Sequence, residues 1–415
     1  TALIVLVLVS SLMTYAQKFT GFEAIESAFN QTEIPAGVFG YVLKDGKTET
    51  ISLGPAIWGE EEKVTADHIF RIASMSKAIT SVAAMQLVEQ GIIGLDDPLN
   101  DRMPEMVTIP MLTEDGQLIE SHDIITLRHL LTHTSGFGYG FIEERLQKFN
   151  KEGWQFADLP RMEKPGVVWR YGTSTDWVGR VVEKLSGKTL EDYFRDHIAG
   201  PLGMQSTWFN VPEDLQHLIV SYGNKTDSGF LENRRIPTRK VTSYSGGGGL
   251  FSSPNDYLKF IHCMLNDGAY DVGYILKPET IQQLFNEEFS VALFQTNDMH
   301  EEELNTDEML HFYKDDRHGL SWGLAKGYSF RYFKHESEIL PEDYRKGLGS
   351  WGGAYNTHFS IHPKFGYGVV AFHQFAPYGD EDVFRLYFMF EQEVHKAVLQ
   401  EKDETLINSG YYKME

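Results

Sequence analysis

The sequence predicts an α/β (α+β) protein in which one antiparallel sheet is flanked by helices and carries an inserted, mainly helical lobe. Patterns typical of strands occur near both ends of the chain, whereas the middle is rich in helical periodicity and loops. The 415 residues are 42% hydrophobic, which is enough to bury a large core. Strands from both ends would complete one sheet, and the helical middle would form the second wall of a cleft.

Hydrophobic periodicity predicts the elements in chain order. The chain opens with a helix over about 21–29 and closes with a helix over about 380–400. The predicted strands are 37–43, 48–54, 319–328, 350–362 and 367–374. Between the second and third strands the pattern is mainly helical, with many loop signals.

No repeat and no long linker divides the chain, so we expect a single domain over 18–410. Its α/β lobe would comprise about 18–73 and 311–410, and its helical lobe about 74–310. The polar stretch 288–318 contains three consecutive glutamates and is predicted to be an exposed insertion.

The first 17 residues read as the apolar core of a secretory signal peptide with small residues near Ala16. The run is too short for a comfortable membrane span, so we expect removal near Ala16 and a periplasmic or secreted protein without stable membrane insertion. Retention of the segment as an N-terminal membrane anchor is the alternative.

The chain is acidic, with 59 Asp and Glu against 37 Lys and Arg and a formal net charge of −22. Nucleic acid is therefore excluded as a partner, because phosphate binding needs a basic surface. Cys263 is the only cysteine, so it has no intramolecular disulfide partner, and its apolar neighbours predict a buried thiol.

Ser74 and Lys77 lie three residues apart at the head of a predicted helix and therefore share one face. A serine hydroxyl becomes an effective nucleophile when a nearby base takes its proton, and a neutral amine one turn away can do so. Ser-x-x-Lys is a weak motif by itself, and the alternative is a helix-capping Ser74 beside a solvated Lys77. The apolar face of the same helix comprises Ile79, Val82, Ala83 and Leu87.

Longer segments around this motif resemble the serine β-lactamase and penicillin-binding-protein superfamily, in its class C and esterase-like branch of family VIII carboxylesterase type. The matching segments, in the family's order, are 70–77 (FRIASMSK), 125–136 (ITLRHLLTHTSG), 201–207 (PLGMQST) and 245–253 (SGGGGLFSS). Several ordered matches are more specific than one short motif. The resemblance implies a β-lactamase/transpeptidase-like fold and covers about 70–373.

The resemblance also implies that Tyr171 faces the nucleophile and shares a proton with Lys77. A free phenol has a pKa of about 10, so a tyrosine acts as a base at neutral pH only beside positive charge. Lys77 can supply that charge, and the pair would titrate as a unit. A core tyrosine beside two tryptophans is the alternative.

Thr173 and Asp176, which follow Tyr171, stand at positions where members of the family differ. Many relatives have Asn two positions after the tyrosine, where this chain has Thr173, whose hydroxyl can replace part of the hydrogen bonding to lysine and substrate. Esterase-like members often have an acid five positions after the tyrosine, and Asp176 matches it. A site-orienting role and a helix N-cap explain Asp176 equally well.

A third motif, Trp351-Gly352-Gly353, stands where β-lactamases and peptidases of the superfamily have Lys-Thr-Gly or His-x-Gly. Tryptophan has one N–H donor and no positive charge, so a salt bridge to an anionic substrate is lost, which favours esters. The glycines permit close approach of the backbone to a bound carbonyl. By family analogy the N–H groups of Ser74 and Ala354 form the oxyanion hole. A packed strand edge is the alternative.

Other designs for a hydrolase do not fit. The chain has no Gly-x-Ser-x-Gly and no zinc motif, and the glycine run at 246–249 lacks the ending of a phosphate loop. His129 and His133 have helical spacing without a third ligand, so we expect no metal and no cofactor. Aromatic residues concentrated in one segment are predicted to line a cleft or to pack in the core; they are Phe137, Tyr139, Phe141, Trp154 and Phe156.

Together these observations predict an exported serine hydrolase that cleaves ester or amide bonds of small molecules through an acyl-enzyme on Ser74, with Lys77 and Tyr171 as the base. Trp351 and Thr173 favour a carboxylesterase. The alternatives are a class C-like β-lactamase, a D-amino-acid peptidase, or a non-catalytic sensor of penicillin-binding type.

Overall fold

The computed structural model describes residues 19–233, 240–285 and 347–408. Its α-helices are α1 (Gly21–Phe29), α2 (Ser76–Glu89), α3 (Pro104–Val107), α4 (Leu127–Leu131), α5 (Glu144–Lys148), α6 (Ser174–Ser186), α7 (Leu190–Phe194), α8 (Pro254–Leu265), α9 (Pro278–Phe285) and α10 (Glu381–Asn408). Its strands are β1 (Gly37–Leu43), β2 (Thr48–Leu53), β3 (Phe70–Arg71), β4 (Met111–Leu112), β5 (Leu118–Ile119), β6 (Gly223–Thr226), β7 (Gly229–Glu232), β8 (Phe251–Ser252), β9 (Ala269–Tyr270), β10 (Gly273–Tyr274), β11 (Gly349–Gly353), β12 (Thr357–His362), β13 (Tyr367–Phe372) and β14 (Phe375–Ala376).

Within the described residues, segments from near both ends of the chain form one five-stranded antiparallel sheet of order β11-β12-β13-β1-β2. The hairpin β1–β2 joins the C-terminal strands through β1, whose Val38 lies opposite Phe372 and whose Leu43 lies opposite Tyr367 in β13. This confirms the predicted antiparallel sheet flanked by helices. It also explains how residues far apart in the sequence can form one cleft.

The sheet separates two hydrophobic cores. Phe39 and Tyr41 of β1 pack on the face covered by α1 and α10, whereas Val38 and Val42 belong to the core shared with α2, α6 and α8. This alternation follows from the two-residue period of a strand. Helix α8 approaches closely because β13 has a glycine: a Cβ atom at Gly368 would lie 2.3 Å from Ile261 Cγ2.

Helix α2 is the central helix of the other lobe. Every residue from Ser76 to Leu87 is buried, so the helix is enclosed on all sides and not only on the apolar face seen in the sequence. Helices α6 and α7 pack against it. The start of α2, which contains Lys77 and directly follows the turn with Ser74, is therefore held by packing from several segments.

Some elements differ from the prediction. The strand predicted over 350–362 is two strands, because the chain turns at Asn356, whose φ is +61° and whose side-chain amide donates to Phe375 O and Pro377 O. A further sheet of order β14-β6-β7 was not predicted. Cys263 is buried as predicted, and burial raises the pKa of its thiol to about 12.

Three predicted features lie outside the described residues: the signal segment 1–17, the insertion 288–318 and the strand 319–328. Within the described residues, no helix combines the length and the apolar composition needed to cross a membrane.

Two buried histidines make stability depend on pH. Burial lowers the pKa of His358 to about 3 and that of His373 to about 4, so both are neutral in the folded protein near pH 7. In the unfolded chain each would take up a proton at about pH 6.5. The folded state therefore loses stability as the pH falls from about 6.5 toward 3–4.

We expect His358→Phe to reduce this loss. The imidazole lies among the rings of Tyr378, Phe384 and Tyr387, with centroids 5.6, 5.0 and 5.1 Å away, so a phenyl ring suits the site. Between pH 7 and pH 5 the free energy of unfolding should fall by about 2 kcal/mol less than in the wild type. Denaturant titrations at both pH values measure this. The matched variant of an exposed histidine, His122→Phe, should keep the wild-type difference; equal pH dependence in all three proteins contradicts the assignment.

Candidate active site

Ser74 lies in a single 3-10 turn, Ala73–Met75, between β3 and the start of α2. Ala73 precedes it with a φ of +42°, a conformation that disfavours a residue with a side chain and costs about 1 kcal/mol. The turn is held against edge strand β11, because a Cβ atom at Gly353 would lie only 2.2 Å from Ile72 O. Glycine at this position therefore lets the strand and the serine turn approach each other.

Lys77 is buried, with 2% of its surface exposed, and its ammonium group uses three hydrogen-bond donors. Nζ donates to Ser74 Oγ at 3.1 Å, to Tyr139 Oη at 3.0 Å and to Gly247 O at 2.5 Å. These partners come from three separate segments of the chain. They fix the nitrogen one helical turn from the serine, as the spacing in the sequence predicted.

Tyr171 donates a hydrogen bond to the same serine, with Oη 2.8 Å from Ser74 Oγ. Its ring also lies near the lysine, with Nζ 4.9 Å from the ring centroid. The structure thus brings Ser74, Lys77 and Tyr171 together in one hydrogen-bonded group. Oγ therefore contacts both a phenol hydroxyl and the Lys77 side-chain nitrogen.

Tyr139 is the member of this group that the sequence did not identify. The sequence predicted Tyr139 only as an aromatic residue of a cleft wall or of the core, yet its hydroxyl accepts the hydrogen bond from Lys77. Burial raises the pKa of Tyr139 well above its ordinary value, and the neighbouring Tyr171 and Asp176 raise it further. Tyr139 therefore remains a neutral phenol. No local motif marks it, because only the fold brings this loop to Lys77.

Asp176 holds the glycine-rich loop that contacts Lys77. Its Oδ1 accepts hydrogen bonds from Ser245 Oγ at 2.5 Å and from Gly247 N–H at 3.2 Å. The N-cap of α6 is Thr173, so the alternative of Asp176 as the N-cap is wrong. Asp176 lies in the first turn of α6. Its hydrogen bond to Gly247 N–H orients the Gly247 carbonyl group, which accepts a hydrogen bond from Lys77.

Thr173 does not take the place of the family's asparagine. It is buried, with 1% of its surface exposed, and its hydroxyl donates to Ala157 O at 3.4 Å. Thr173 does not belong to the described lining of the cavity at Ser74, and the substrate contact predicted for it stays a prediction. Tyr139 supplies a polar atom beside Lys77.

A cavity of about 500 Å³ opens at Ser74, and its wall along β11 includes Trp351, Gly352 and the exposed Ala354. The Trp351 ring lies 5.2 Å from the Tyr171 ring, and its indole N–H has no partner among the described residues. Gly353 does not line the cavity but packs against the serine turn. The predicted contact of Gly353 with substrate is thus replaced by a structural role.

Outside the regular helices and strands, no hydrogen bond from the backbone N–H of Ser74 or Ala354 to a described residue is found. Both residues line the cavity, so both amides are available to a substrate oxygen. The described lining side chains include two carboxylates, Asp176 and Glu391, and no lysine or arginine. The wall is otherwise mainly aromatic.

The predicted aromatic residues divide into two groups. Tyr139, Phe141 and Phe156 line the cavity, whereas Phe137 and Trp154 pack in the hydrophobic cores. In the described part of the chain, no group of three or more His, Cys, Asp or Glu side chains is arranged to bind a metal. The arrangement offers a nucleophile, a proton carrier, a fixed cation and two amide donors, which together suit acyl transfer.

We expect Tyr139→Phe to lower kcat for an activated ester, such as 4-nitrophenyl acetate, by about 10- to 100-fold with a smaller change in KM. The phenyl ring keeps the packing, but one donor of the buried ammonium loses its acceptor, which costs about 1–3 kcal/mol. Steady-state kinetics measure the effect. The matched variant Tyr193→Phe removes a buried hydroxyl on α7, outside the cavity lining, and should keep wild-type kinetics. Equal kcat and KM values in both variants would show that the Tyr139 hydroxyl does not contribute to the reaction at Ser74.

The chain is similar to known proteins in sequence and in fold. The family model for beta-lactamases matches residues 22–393. The monacolin J acid methylbutanoyltransferase of Aspergillus terreus is 28% identical over 357 residues, which cover 80% of this chain and 82% of that protein. The lovastatin esterase of Penicillium rubens is 32% identical over 257 residues, which cover 55% of this chain and 62% of that protein.

A solved structure of simvastatin synthase from Aspergillus terreus, its LovD6 mutant, has a TM-score of 0.77 and 27% identity to this chain, and covers 92% of this chain and 95% of that one. The match confirms the predicted fold class, and the comparisons confirm the predicted class of enzyme, one related to serine hydrolases. The chain belongs to the beta-lactamase family.

Proposed function

We propose that the protein cleaves carboxylic esters of small molecules through a covalent acyl-enzyme on Ser74. Ser74 Oγ attacks the ester carbonyl, and the amides of Ser74 and Ala354 receive the developing oxyanion. Supporting this, Ser74 lines the cavity and its hydroxyl contacts both Lys77 and Tyr171. Water then attacks the acyl-enzyme and releases the carboxylic acid.

Tyr171 is the proton carrier in this proposal. In the reacting form Tyr171 is the phenolate beside the ammonium of Lys77, and its Oη takes the proton from Ser74 Oγ during attack and returns it to the leaving alcohol. In the second half of the reaction it takes a proton from water and returns it to Ser74. Tyr139 is a poor candidate for this role, because burial raises its pKa and it contacts Lys77 instead of the serine.

The preference for esters over anionic substrates rests on the charge of the side chains that line the cavity. A β-lactam or a peptide C-terminus brings a carboxylate, and the described wall offers Trp351 where related enzymes have a cation. The carboxyl groups of the described wall, Asp176 and Glu391, supply no positive charge, so an anionic group buried there would lack an ion pair. A neutral ester avoids this cost. A class C-like β-lactamase or a D-amino-acid peptidase is correspondingly disfavoured.

Acyl transfer to an alcohol is the second candidate. The relatives include a methylbutanoyltransferase as well as an esterase. An alcohol can replace water at the acyl-enzyme, since Tyr171 would accept its proton in the same way. The aromatic lining favours an apolar acceptor over water. Product analysis with vinyl acetate and a competing alcohol distinguishes hydrolysis from transfer.

We expect Ser74→Ala to lower hydrolysis of 4-nitrophenyl butyrate by about 10⁴-fold or more, because the covalent step is lost. Labelling by a fluorophosphonate should disappear with it. The matched control is Ser81→Ala on α2, because Ser81 is buried and its hydroxyl has no partner among the described residues. Turnover that survives in Ser74→Ala contradicts the mechanism, and stoichiometric labelling of the wild type without turnover favours the sensor.

We expect Trp351→Lys to shift the selectivity toward an anionic substrate. 4-Nitrophenyl hydrogen succinate and 4-nitrophenyl butyrate share a leaving group and differ mainly by one carboxylate. The ratio of their kcat/KM values, succinate over butyrate, should rise about tenfold, because lysine supplies the missing ion pair. Trp351→Phe keeps the apolar wall without adding charge and should leave the ratio close to the wild-type value. Equal ratios in both variants would show that Trp351 does not face the acyl group.

A further inference from the structure

Two large aromatic side chains are exposed at the cavity that contains Ser74. Phe141 has 65% and Phe156 has 53% of its surface exposed, and both line the cavity wall. Their rings are nearly parallel, with an interplanar angle of 10° and a centroid distance of 6.4 Å. Isolated exposed apolar residues are ordinary, but a stacked pair at the wall of a reactive cavity suggests a binding surface.

Tyr139 links this pair to the reactive group. Its ring stacks on Phe141 at 4.9 Å and lies 5.7 Å from Phe156. At its other end its hydroxyl accepts the hydrogen bond from Lys77, and its ring meets that of Tyr171 edge-on at 5.1 Å. The three rings of Tyr139, Phe141 and Phe156, here called the aromatic platform, therefore extend from Lys77 and Tyr171 to solvent.

The chemistry of the platform selects the kind of group that it can bind. Aromatic faces attract other apolar rings through offset stacking and through release of water. The described lining side chains contribute two carboxylates and no lysine or arginine, so the bound ring should carry no negative charge. The phenyl side chains of Phe141 and Phe156 have no hydrogen-bonding group, so they bind by shape and apolar contact.

We propose that the aromatic platform is a subsite for an uncharged, ring-bearing part of the ester substrate. This inference rests on the proposed function and specifies its substrate class. Ser74 and Tyr171 contact each other at the inner end of the platform. The reacting carbon of an ester lies between its acyl half and its alcohol half, so the bound ring can belong to either half. Phe141 and Phe156 determine specificity, whereas the reacting groups lie further inside.

The test uses two pairs of esters that differ in one ring. Vinyl benzoate and vinyl acetate place the ring on the acyl side, whereas benzyl acetate and ethyl acetate place it on the alcohol side. Acid release in a pH-stat gives kcat/KM for the wild type, Phe141→Ala, Phe156→Ala and the double variant. Both side chains are exposed, so their truncation should leave the fold intact, which thermal unfolding checks.

In the double variant we expect kcat/KM for the ring-bearing ester of one pair to fall about tenfold more than that of its ringless partner, mainly through KM. The pair that responds identifies the half of the ester that lies on the platform. The matched control Val272→Ala removes an exposed apolar side chain outside the cavity lining and should keep the wild-type ratios. Unchanged ratios in both pairs overturn the proposal.

A second measurement separates this inference from the proposed function. Binding of 2-naphthol, followed by its fluorescence, needs no turnover. If the wild type hydrolyses none of the esters, the proposed function fails and the binding result alone decides on the platform. A Kd for 2-naphthol at least five times higher in the double variant than in Val272→Ala supports the platform. Equal Kd values, or no binding to the wild type, overturn it.

Discussion

The buried ammonium of Lys77 is the constraint on which the site depends. Removing an ammonium group from water costs several kcal/mol unless its donors are satisfied. Here a serine hydroxyl, a phenol and a carbonyl oxygen accept its hydrogen bonds, and no described carboxylate pairs with it. Its charge is thus solvated by dipoles and not cancelled by an ion pair. Such a cation can still stabilise negative charge on a neighbouring phenol. A phenolate stabilised in this way can act as the base that a serine nucleophile requires.

The fold provides these acceptors from separate parts of the chain. The 3-10 turn before α2 supplies Ser74, and the first turn of α2 supplies Lys77. A loop supplies Tyr139, and Asp176 holds the segment that contains the Gly247 carbonyl. The C-terminal strand β11 then closes the site from the sheet side, where the lack of a side chain at Gly353 permits contact with the serine turn. The antiparallel pairing of β1 with β13 makes this possible, because it brings both ends of the chain into one sheet.

The same arrangement separates reactivity from specificity. The hydrogen-bonded group at Ser74 suits any acyl transfer, whether the acceptor is water or an alcohol. Selection between substrates falls to the cavity wall, where Trp351 stands without a cation and aromatic rings lead outward to Phe141 and Phe156. A wall of this kind discriminates by charge and shape, and its weak apolar contacts can change without altering the chemistry. Members of one family can therefore include both esterases and acyltransferases.

The sequence alone determined the features that depend on local patterns. The two-residue period identified β1 and β2, the helical period identified α1 and the closing helix, and the three-residue spacing placed Ser74 and Lys77 on one face. Contacts between distant segments were decided by the tertiary structure. Tyr139 became the partner of Lys77, Thr173 turned toward Ala157, and the strand predicted over 350–362 divided at Asn356. Local propensity cannot foresee these outcomes, because each depends on which backbone and side-chain atoms the folded chain brings within hydrogen-bonding distance.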